Sequence, residues 1–166
     1  MNLEDFSVFK GLNSTQISNF TAACEEESFA AGTEIITRGV RGTKVFFLLQ
    51  GQLRVYVDAG CEQVLAELEP GAIFGEMELL TDEPRAASVR AVTDVKAWGL
   101  EFETLRERIR HDDTAALKIM FNIARILALR LEAMVEKLVE IESGSVEVRS
   151  EDLRDFRRKL FSYWSF

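Results

Sequence analysis

Val45–Asp58 reads VFFLLQGQLRVYVD, which predicts two strands separated by a glycine turn. Its Val, Phe, Leu and Tyr residues favour strands, and Gly51 suits a reversal of the chain. Four more short runs of similar composition surround it: FAAGTEIIT (29–37), EQVLAEL (62–68), AASVRAV (86–92) and VKAWGL (95–100). Short strands at regular spacing, separated by glycine-containing turns, indicate an antiparallel β-barrel or jelly roll.

The best-defined strand pair is LRVYVDAGCEQVLAEL (53–68), which predicts a hairpin around Ala59 and Gly60. Leu53, Val55 and Val57 alternate along its first strand. We therefore expect these three side chains to lie on one face of the sheet.

Helical periodicity replaces the strand pattern at both ends of this region. NSTQISNFTAACEE (13–26) predicts one amphipathic helix, with Asn13 and Gln16 placed to form a capping box. Its apolar residues at helical spacing are Ile17, Phe20 and Ala23. After the strands, Glu101–Arg110 predicts a short helix.

A long helix is predicted from about residue 113 to Glu142, with Asp112 or Asp113 together with Thr114 at its cap. The predicted fold class is thus α+β: an antiparallel β-barrel or jelly roll flanked by N-terminal helices and a long C-terminal helix. Residues 1–142 are predicted to form one domain.

The long helix carries a heptad seam. Its members are Met120, Ala124, Leu127, Leu131, Met134, Leu138 and Ile141. Such a seam either packs on the protein's own sheets or joins two copies of the chain. Further apolar residues on other faces of the helix favour a homodimer.

Residues 143–166 are predicted to form a linker followed by a short aromatic and basic tail. From Arg149 to Phe166 there are five basic and three acidic side chains, so this segment carries 5 − 3 = +2 within a chain of net charge −8. Three interpretations stay open: a helix folded back on the domain or its dimer mate, a docking motif for a protein partner, or a membrane-surface anchor.

Composition excludes several function classes. The net charge of −8 argues against a nucleic-acid footprint, and a single histidine, His111, excludes histidine-cluster metal sites and disfavours Ser-His or Cys-His catalysis. Cys24 and Cys61 are expected to be free thiols. The N-terminus lacks signal-peptide features and no apolar run reaches the roughly 20 residues of a membrane span, so a cytoplasmic protein is expected.

The stretch Phe74–Val89, FGEMELLTDEPRAASV, predicts a strand that runs through Gly75 into a short helix. Amide groups at a helix start form an anion site, and glycine permits close approach of a ligand. Arg85 follows at a distance that allows it to return beside this helix start and pair with a phosphate. Glu76 would instead accept a hydrogen bond from a sugar hydroxyl.

This stretch closely resembles the phosphate-binding cassette of the cyclic nucleotide-binding domain family, and the similarity extends over about residues 3–141. The family includes the sensor domain of catabolite activator protein and the regulatory subunits of cyclic-AMP-dependent protein kinase. The resemblance implies that Gly75 and Glu76 contact the ribose and that Arg85 pairs with the cyclic phosphate. The amide groups of Ala86 and Ala87 would assist Arg85.

The same resemblance implies that the base lies against Val55, Leu65 and Leu68, and that Arg130 of the long helix lies near the base. The alternative is that Arg130 is a solvated residue beside the heptad seam. Ala86 stands where cyclic-GMP-selective relatives often have a threonine, which favours cAMP over cGMP. Arg130 argues against a clear preference for cAMP, because an arginine can stack on either purine or donate hydrogen bonds to guanine.

The function predicted from these residues is a non-catalytic cyclic-nucleotide sensor without a cofactor and without direct DNA binding. Only 166 − 142 = 24 residues follow the long helix, and they contain no helix-turn-helix pattern. The alternative is a related fold that has lost nucleotide and serves as a protein interaction module, with Arg85 and Glu76 as a structural ion pair. Glu78, Asp82 and Glu83 are interpreted as solvated surface carboxylates.

Overall fold

A computed structural model of the protein describes residues 6–58 and 62–142. After a 3-10 turn at Ser7–Phe9, the elements follow the order helix, eight strands with one short helix among them, and two helices. They are α1 Ser14–Thr21, β1 Glu25–Phe29, β2 Glu34–Ile36, β3 Lys44–Gln50, β4 Leu53–Asp58, β5 Glu62–Leu68, β6 Ile73–Phe74, α2 Glu76–Thr81, β7 Ser88–Ala91, β8 Val95–Glu101, α3 Phe102–Arg110 and α4 Thr114–Glu142.

The strands form two four-stranded antiparallel sheets, with the orders β1-β8-β3-β6 and β2-β7-β4-β5. The prediction of an antiparallel β-roll with flanking helices is confirmed. The predicted hairpin is also confirmed, since β4 and β5 pair from Leu53 with Leu68 to Asp58 with Glu62. Its turn lies outside the described residues.

The main core combines apolar side chains from both sheets. The first sheet contributes Phe46, Leu48, Phe74, Val95 and Ala97, and the second contributes Ile36, Leu53, Val89 and Ala91. Val55 and Leu68 pack against this cluster and are partly buried. In β4 the burial does not alternate simply: Leu53 is buried and Val55 packs against the core, but Tyr56 is buried as well and Val57 is partly exposed.

A second apolar cluster explains why β3 is a continuous apolar run. Phe47 is buried and packs at 5.7–6.0 Å between ring centroids against Phe20 of α1 and Phe9 of the 3-10 turn. Phe46, its neighbour in sequence, stacks instead on Phe74 at 5.0 Å. β3 is therefore buried on both faces, by the second sheet on one side and by the N-terminal helical segment on the other.

The first helix was predicted too long. α1 ends at Thr21, and Glu25 and Glu26 belong to β1, where they pair with Gly99 and Trp98 of β8. The run of glutamates carries no strand signal of its own. It becomes a strand because β8 offers an unpaired edge and Lys44 binds the carboxylates of Glu25 and Glu27 at 2.7 and 3.0 Å. The capping box of Asn13 and Gln16 is confirmed.

The C-terminal helices follow the prediction closely. α3 begins one residue later than expected, and Asp113 is the residue that caps α4, because its Oδ1 accepts the amide hydrogens of Ala115 and Ala116 at 2.8 and 3.4 Å. Asp112 instead adopts a left-handed backbone with φ 56°. Within the described ranges, no helix has the length and apolar character needed to cross a bilayer.

The chain divides into two compact units, one ending at Ala124 and the other beginning at Arg125. In the first unit, the start of α4 buries Ala116, Ile119 and Ile123, and Asn122 donates hydrogen bonds to the carbonyls of Val8 and Lys10 at 2.9 Å. In the second unit, Leu129 and Val139 are more than half exposed. The heptad seam as a dimer interface stays a prediction, and the predicted tail at 143–166 lies outside the described residues.

A polar cluster joins three strands of the second sheet. The Tyr56 hydroxyl donates a hydrogen bond to the Glu34 carboxylate, and the guanidinium of Arg90 lies 4.5 Å from the centre of the tyrosine ring. The hydrogen bond from Tyr56 is the main reason why the pKa of Glu34 lies below its ordinary value. This cluster ties β2, β4 and β7 together at the edge of the roll.

Candidate functional site

The candidate site begins where the predicted strand runs into its helix. β6 ends at Phe74, Gly75 takes a left-handed backbone with φ 76°, and α2 starts at Glu76. A residue with a Cβ is strained at this φ. A Cβ built on Gly75 would also stand 2.5 Å from Arg85 Nη1. Two features therefore require glycine at position 75: the left-handed backbone of the turn and the close approach of the Arg85 side chain.

Arg85 is the central residue of the site. Its side chain is buried, and three protein groups hold it: Nε lies 2.9 Å from Glu78 Oε2, Nη1 donates to the Gly75 carbonyl at 2.7 Å, and Nη2 donates to the Lys44 carbonyl at 2.8 Å. The guanidinium also lies 5.4 Å from the centre of the Phe102 ring at the start of α3. These contacts with described residues use three of the five N–H donors of the guanidinium.

Burial lowers the pKa of Arg85 below its ordinary value, and the negative charges of Glu78 and Glu76 oppose that shift. Arginine remains protonated at neutral pH under such a shift. The buried cation is therefore a permanent positive charge next to the start of α2. A guanidinium in such a position can pair with a phosphate group.

The other cassette residues differ in burial. Glu76 is buried at 3% exposure beside Arg85, Ala86 is exposed, and Ala87 is partly buried. Among the described residues no side chain caps the start of α2. These positions are compatible with the predicted contacts to ribose and phosphate, which stay predictions.

The interpretation of Glu78 as a solvated carboxylate was wrong. It is 5% exposed, forms the ion pair with Arg85, and its two oxygens accept the amide hydrogen of Gly42 at 3.0 and 2.9 Å. The reason is positional, because Glu78 stands on the face of α2 that turns toward the chain between β2 and β3. Asp82 is exposed but paired, since Arg106 of α3 approaches its Oδ1 at 2.5 Å.

Gly42 lies between β2 and β3, and the sequence did not predict its role in the site. A Cβ built on it would lie 2.0 Å from Arg85 Nη2. Nothing in the local sequence signals this contact, since 43 residues separate the two positions. Two backbone hydrogen bonds fix the same pairing, from the Gly39 amide to the Arg85 carbonyl at 2.8 Å and from the Arg85 amide to the Val40 carbonyl at 3.2 Å.

A cavity of about 260 Å³ opens beside Arg85. Ile36, Gly42 and Phe46 contribute to its lining. Its volume is close to the lower end of small-molecule sites, about 300 Å³. In the part of the chain that the structure describes, this lining is supplied by β2, β3, the segment between them and Arg85.

The residues predicted to contact the base are not gathered at this cavity. Val55 and Leu68 lie against the core between the sheets, whereas Leu65 is half exposed and is the extra residue of a bulge in β5. Arg130 belongs to the second unit. The predicted base contacts, including Arg130, therefore stay predictions.

Comparison with known proteins agrees with this architecture. The family model for the cyclic nucleotide-binding domain matches residues 26–112, which cover all eight strands except the first residue of β1, together with α2 and α3. The chain therefore belongs to the cyclic nucleotide-binding domain family.

Particular relatives include two kinase systems and a bacterial regulator. The chain is 29% identical over 147 residues to cGMP-dependent protein kinase 2 of Mus musculus, covering 89% of this chain and 19% of the kinase. It is 32% identical over 120 residues to the cAMP-dependent protein kinase regulatory subunit of Candida albicans, covering 72% and 25%. The crystal structure of the Thermus thermophilus catabolite activator protein superposes with a TM-score of 0.70 at 26% identity, covering 89% and 78%. The chain thus spans a fifth to a quarter of these two curated relatives.

Proposed function

We propose that this protein is a non-catalytic sensor that binds a cyclic mononucleotide at the α2 cassette, with cAMP preferred over cGMP. The observation that carries the proposal is the buried guanidinium of Arg85, whose N–H donors lie beside the start of α2, where no described side chain forms a cap. The cyclic phosphate would take these donors together with the amide groups of Ala86 and Ala87. The buried carboxylate of Glu76 would accept the ribose 2′-hydroxyl, and Gly75 would permit the close approach.

The preference for cAMP rests on Ala86, which offers no hydroxyl to a guanine base. The base would lie against Val55, Leu65 and Leu68, and Arg130 would contact it from the long helix. The relatives of this chain include a cGMP-dependent protein kinase and the regulatory subunit of a cAMP-dependent protein kinase. Both nucleotides therefore belong in the test, and Arg130→Ala is expected to reduce the discrimination between them.

The ligand signal is proposed to pass from the cassette to α3. Arg85 lies over the Phe102 ring, and Asp82 at the end of α2 pairs with Arg106 at 2.5 Å. A ligand that moves α2 by pulling on Arg85 would shift both contacts. We propose that α4 carries this change to a second copy of the chain, and that residues 143–166 contact the next component.

Isothermal titration calorimetry with cAMP, cGMP and AMP tests the binding proposal. We expect a cyclic nucleotide to bind, AMP to bind much more weakly, and Arg85→Ala to lose about 2–5 kcal/mol of binding free energy, because a buried phosphate loses its charge partner. Arg54→Ala is the matched control, because Arg54 is 40% exposed and its carboxylate partner Glu67 is 61% exposed. Equal affinities of wild type and Arg85→Ala would refute the assignment.

Loss of nucleotide binding in favour of protein interaction is the second candidate. It is favoured by the ion pair with Glu78, which already neutralises Arg85. In that case no cyclic nucleotide would raise the melting temperature, while the protein would still form its oligomer. Light scattering on the full chain and on residues 1–142, each with and without nucleotide, tests whether the oligomer depends on α4 or on the tail.

A further inference from the structure

Glu78 is a second buried carboxylate in the cassette, and the proposed ligand contacts do not use it. It is held from two sides, by the Gly42 amide at 2.9 Å and by Arg85 Nε at 2.9 Å. It thereby connects α2 to the segment between β2 and β3. The side chain is only 5% exposed, so these protein contacts hold it in place.

Two buried carboxylates among the described residues, Glu76 and Glu78, lie near the guanidinium of Arg85. A cyclic phosphate adds another negative charge at the same guanidinium. Two anions that share one cation repel each other, and burial weakens the screening that water would provide.

We propose that Glu78 is an internal counter-anion that stabilises Arg85 in the ligand-free protein and thereby lowers the affinity of the cassette for a cyclic nucleotide. The inference rests on the proposed function of the same site. Glu78 does not contact the ligand; it acts through Arg85 as a positioning residue. The ion pair offsets the charge of Arg85, and a phosphate that approaches the arginine is repelled by the same carboxylate.

This role predicts opposite effects on two quantities. Removing the charge of Glu78 leaves Arg85 buried without its carboxylate, so the ligand-free protein becomes less stable. The same change removes a like charge from the neighbourhood of the phosphate, so the nucleotide binds more tightly. A residue that only held Arg85 in place would lower stability and affinity together.

The test compares Glu78→Gln with wild type by thermal unfolding without ligand and by calorimetry with cAMP and cGMP. Glutamine keeps the length of the side chain and an oxygen acceptor for the Gly42 amide. We expect a lower melting temperature without ligand and an affinity about tenfold higher, which corresponds to about 1.4 kcal/mol. Glu78→Ala serves as a second variant and should show the same two signs.

Glu83→Gln is the matched control, because it removes the same charge from an exposed side chain of the same segment. Its affinity should stay within about twofold of wild type. A folded Glu78→Gln protein whose affinity is unchanged or reduced would overturn the inference while leaving the proposed function intact. Failure of both wild type and the Glu78 variants to bind any cyclic nucleotide would instead refute the proposed function, and the inference with it. Binding that appears only in the variants supports the inference.

Discussion

Arg85→Ala should destabilise the fold strongly even without a ligand, because it leaves the carboxylate of Glu78 buried without its partner. The side chains of Arg85 and Glu78 are 7% and 5% exposed, and their charged atoms are 2.9 Å apart. Truncating one partner of a buried pair costs about 3–5 kcal/mol, because the other charge stays buried without compensation. The carbonyls of Gly75 and Lys44 also lose their donor. We therefore expect the free energy of unfolding to fall by about 3–5 kcal/mol, which lowers the melting temperature by roughly 6–20 °C for a chain of this size.

A double-mutant cycle separates the pair from the other contacts of Arg85. Chemical denaturation of wild type, Arg85→Ala, Glu78→Ala and the double variant, all without nucleotide, should give a coupling free energy of about 2–3 kcal/mol. The double variant should be less destabilised than the sum of the single variants, because it leaves no unpaired charge.

Arg54 and Glu67 provide the control pair. They lie 3.2 Å apart across β4 and β5, but their side chains are 40% and 61% exposed. Their coupling should stay below about 1 kcal/mol, because water screens the charges. A coupling between Arg85 and Glu78 as small as that of the exposed pair would refute the description of the cassette as a buried, mutually stabilised ion pair.

Three further predictions concern other parts of the first unit. Gly75→Ala and Gly39→Ala introduce similar backbone strain, at φ 76° and 79°, but only Gly75→Ala places a Cβ against Arg85. In thermal unfolding, Gly75→Ala should therefore lose at least about 1 kcal/mol more stability than Gly39→Ala, and it should also lose nucleotide affinity. Folding lowers the pKa of Glu34, so its contribution to stability is present above the ordinary carboxyl pKa of 4.5 and is lost as the pH falls through the lower folded value. We therefore expect the melting temperature of Glu34→Gln to fall less steeply below pH 4.5 than that of wild type. Burial raises the pKa of the Cys24 thiol to about 12. In a variant with Cys61 replaced by serine, Cys24 should therefore react with a thiol reagent at pH 8 more than about 100-fold more slowly in the native than in the unfolded protein. Equal rates would contradict its burial.

The strands and helices were predictable where local pattern and tertiary packing agree. The continuous apolar run of β3 follows from burial on both of its faces and is visible in the sequence. The capping box at Asn13 and the turn at Gly75 follow from the chemistry of single residues. The glutamates of β1 were misassigned because a strand partner, not their own propensity, determines their conformation.

The candidate site was predictable in part for the same reason. The sequence predicted Gly75, Glu76 and Arg85 as a group, since they lie within eleven residues and their residue types suggest the chemistry of a phosphate and a sugar. The protein contacts of Arg85 depend on the tertiary structure. Its partners include the Lys44 carbonyl and the close approach of Gly42, which are more than forty residues away and carry no local signal. The burial of Glu78 was decided in the same way, because a carboxylate on a short helix is solvated or buried according to what packs over it, and here the segment between β2 and β3 covers it.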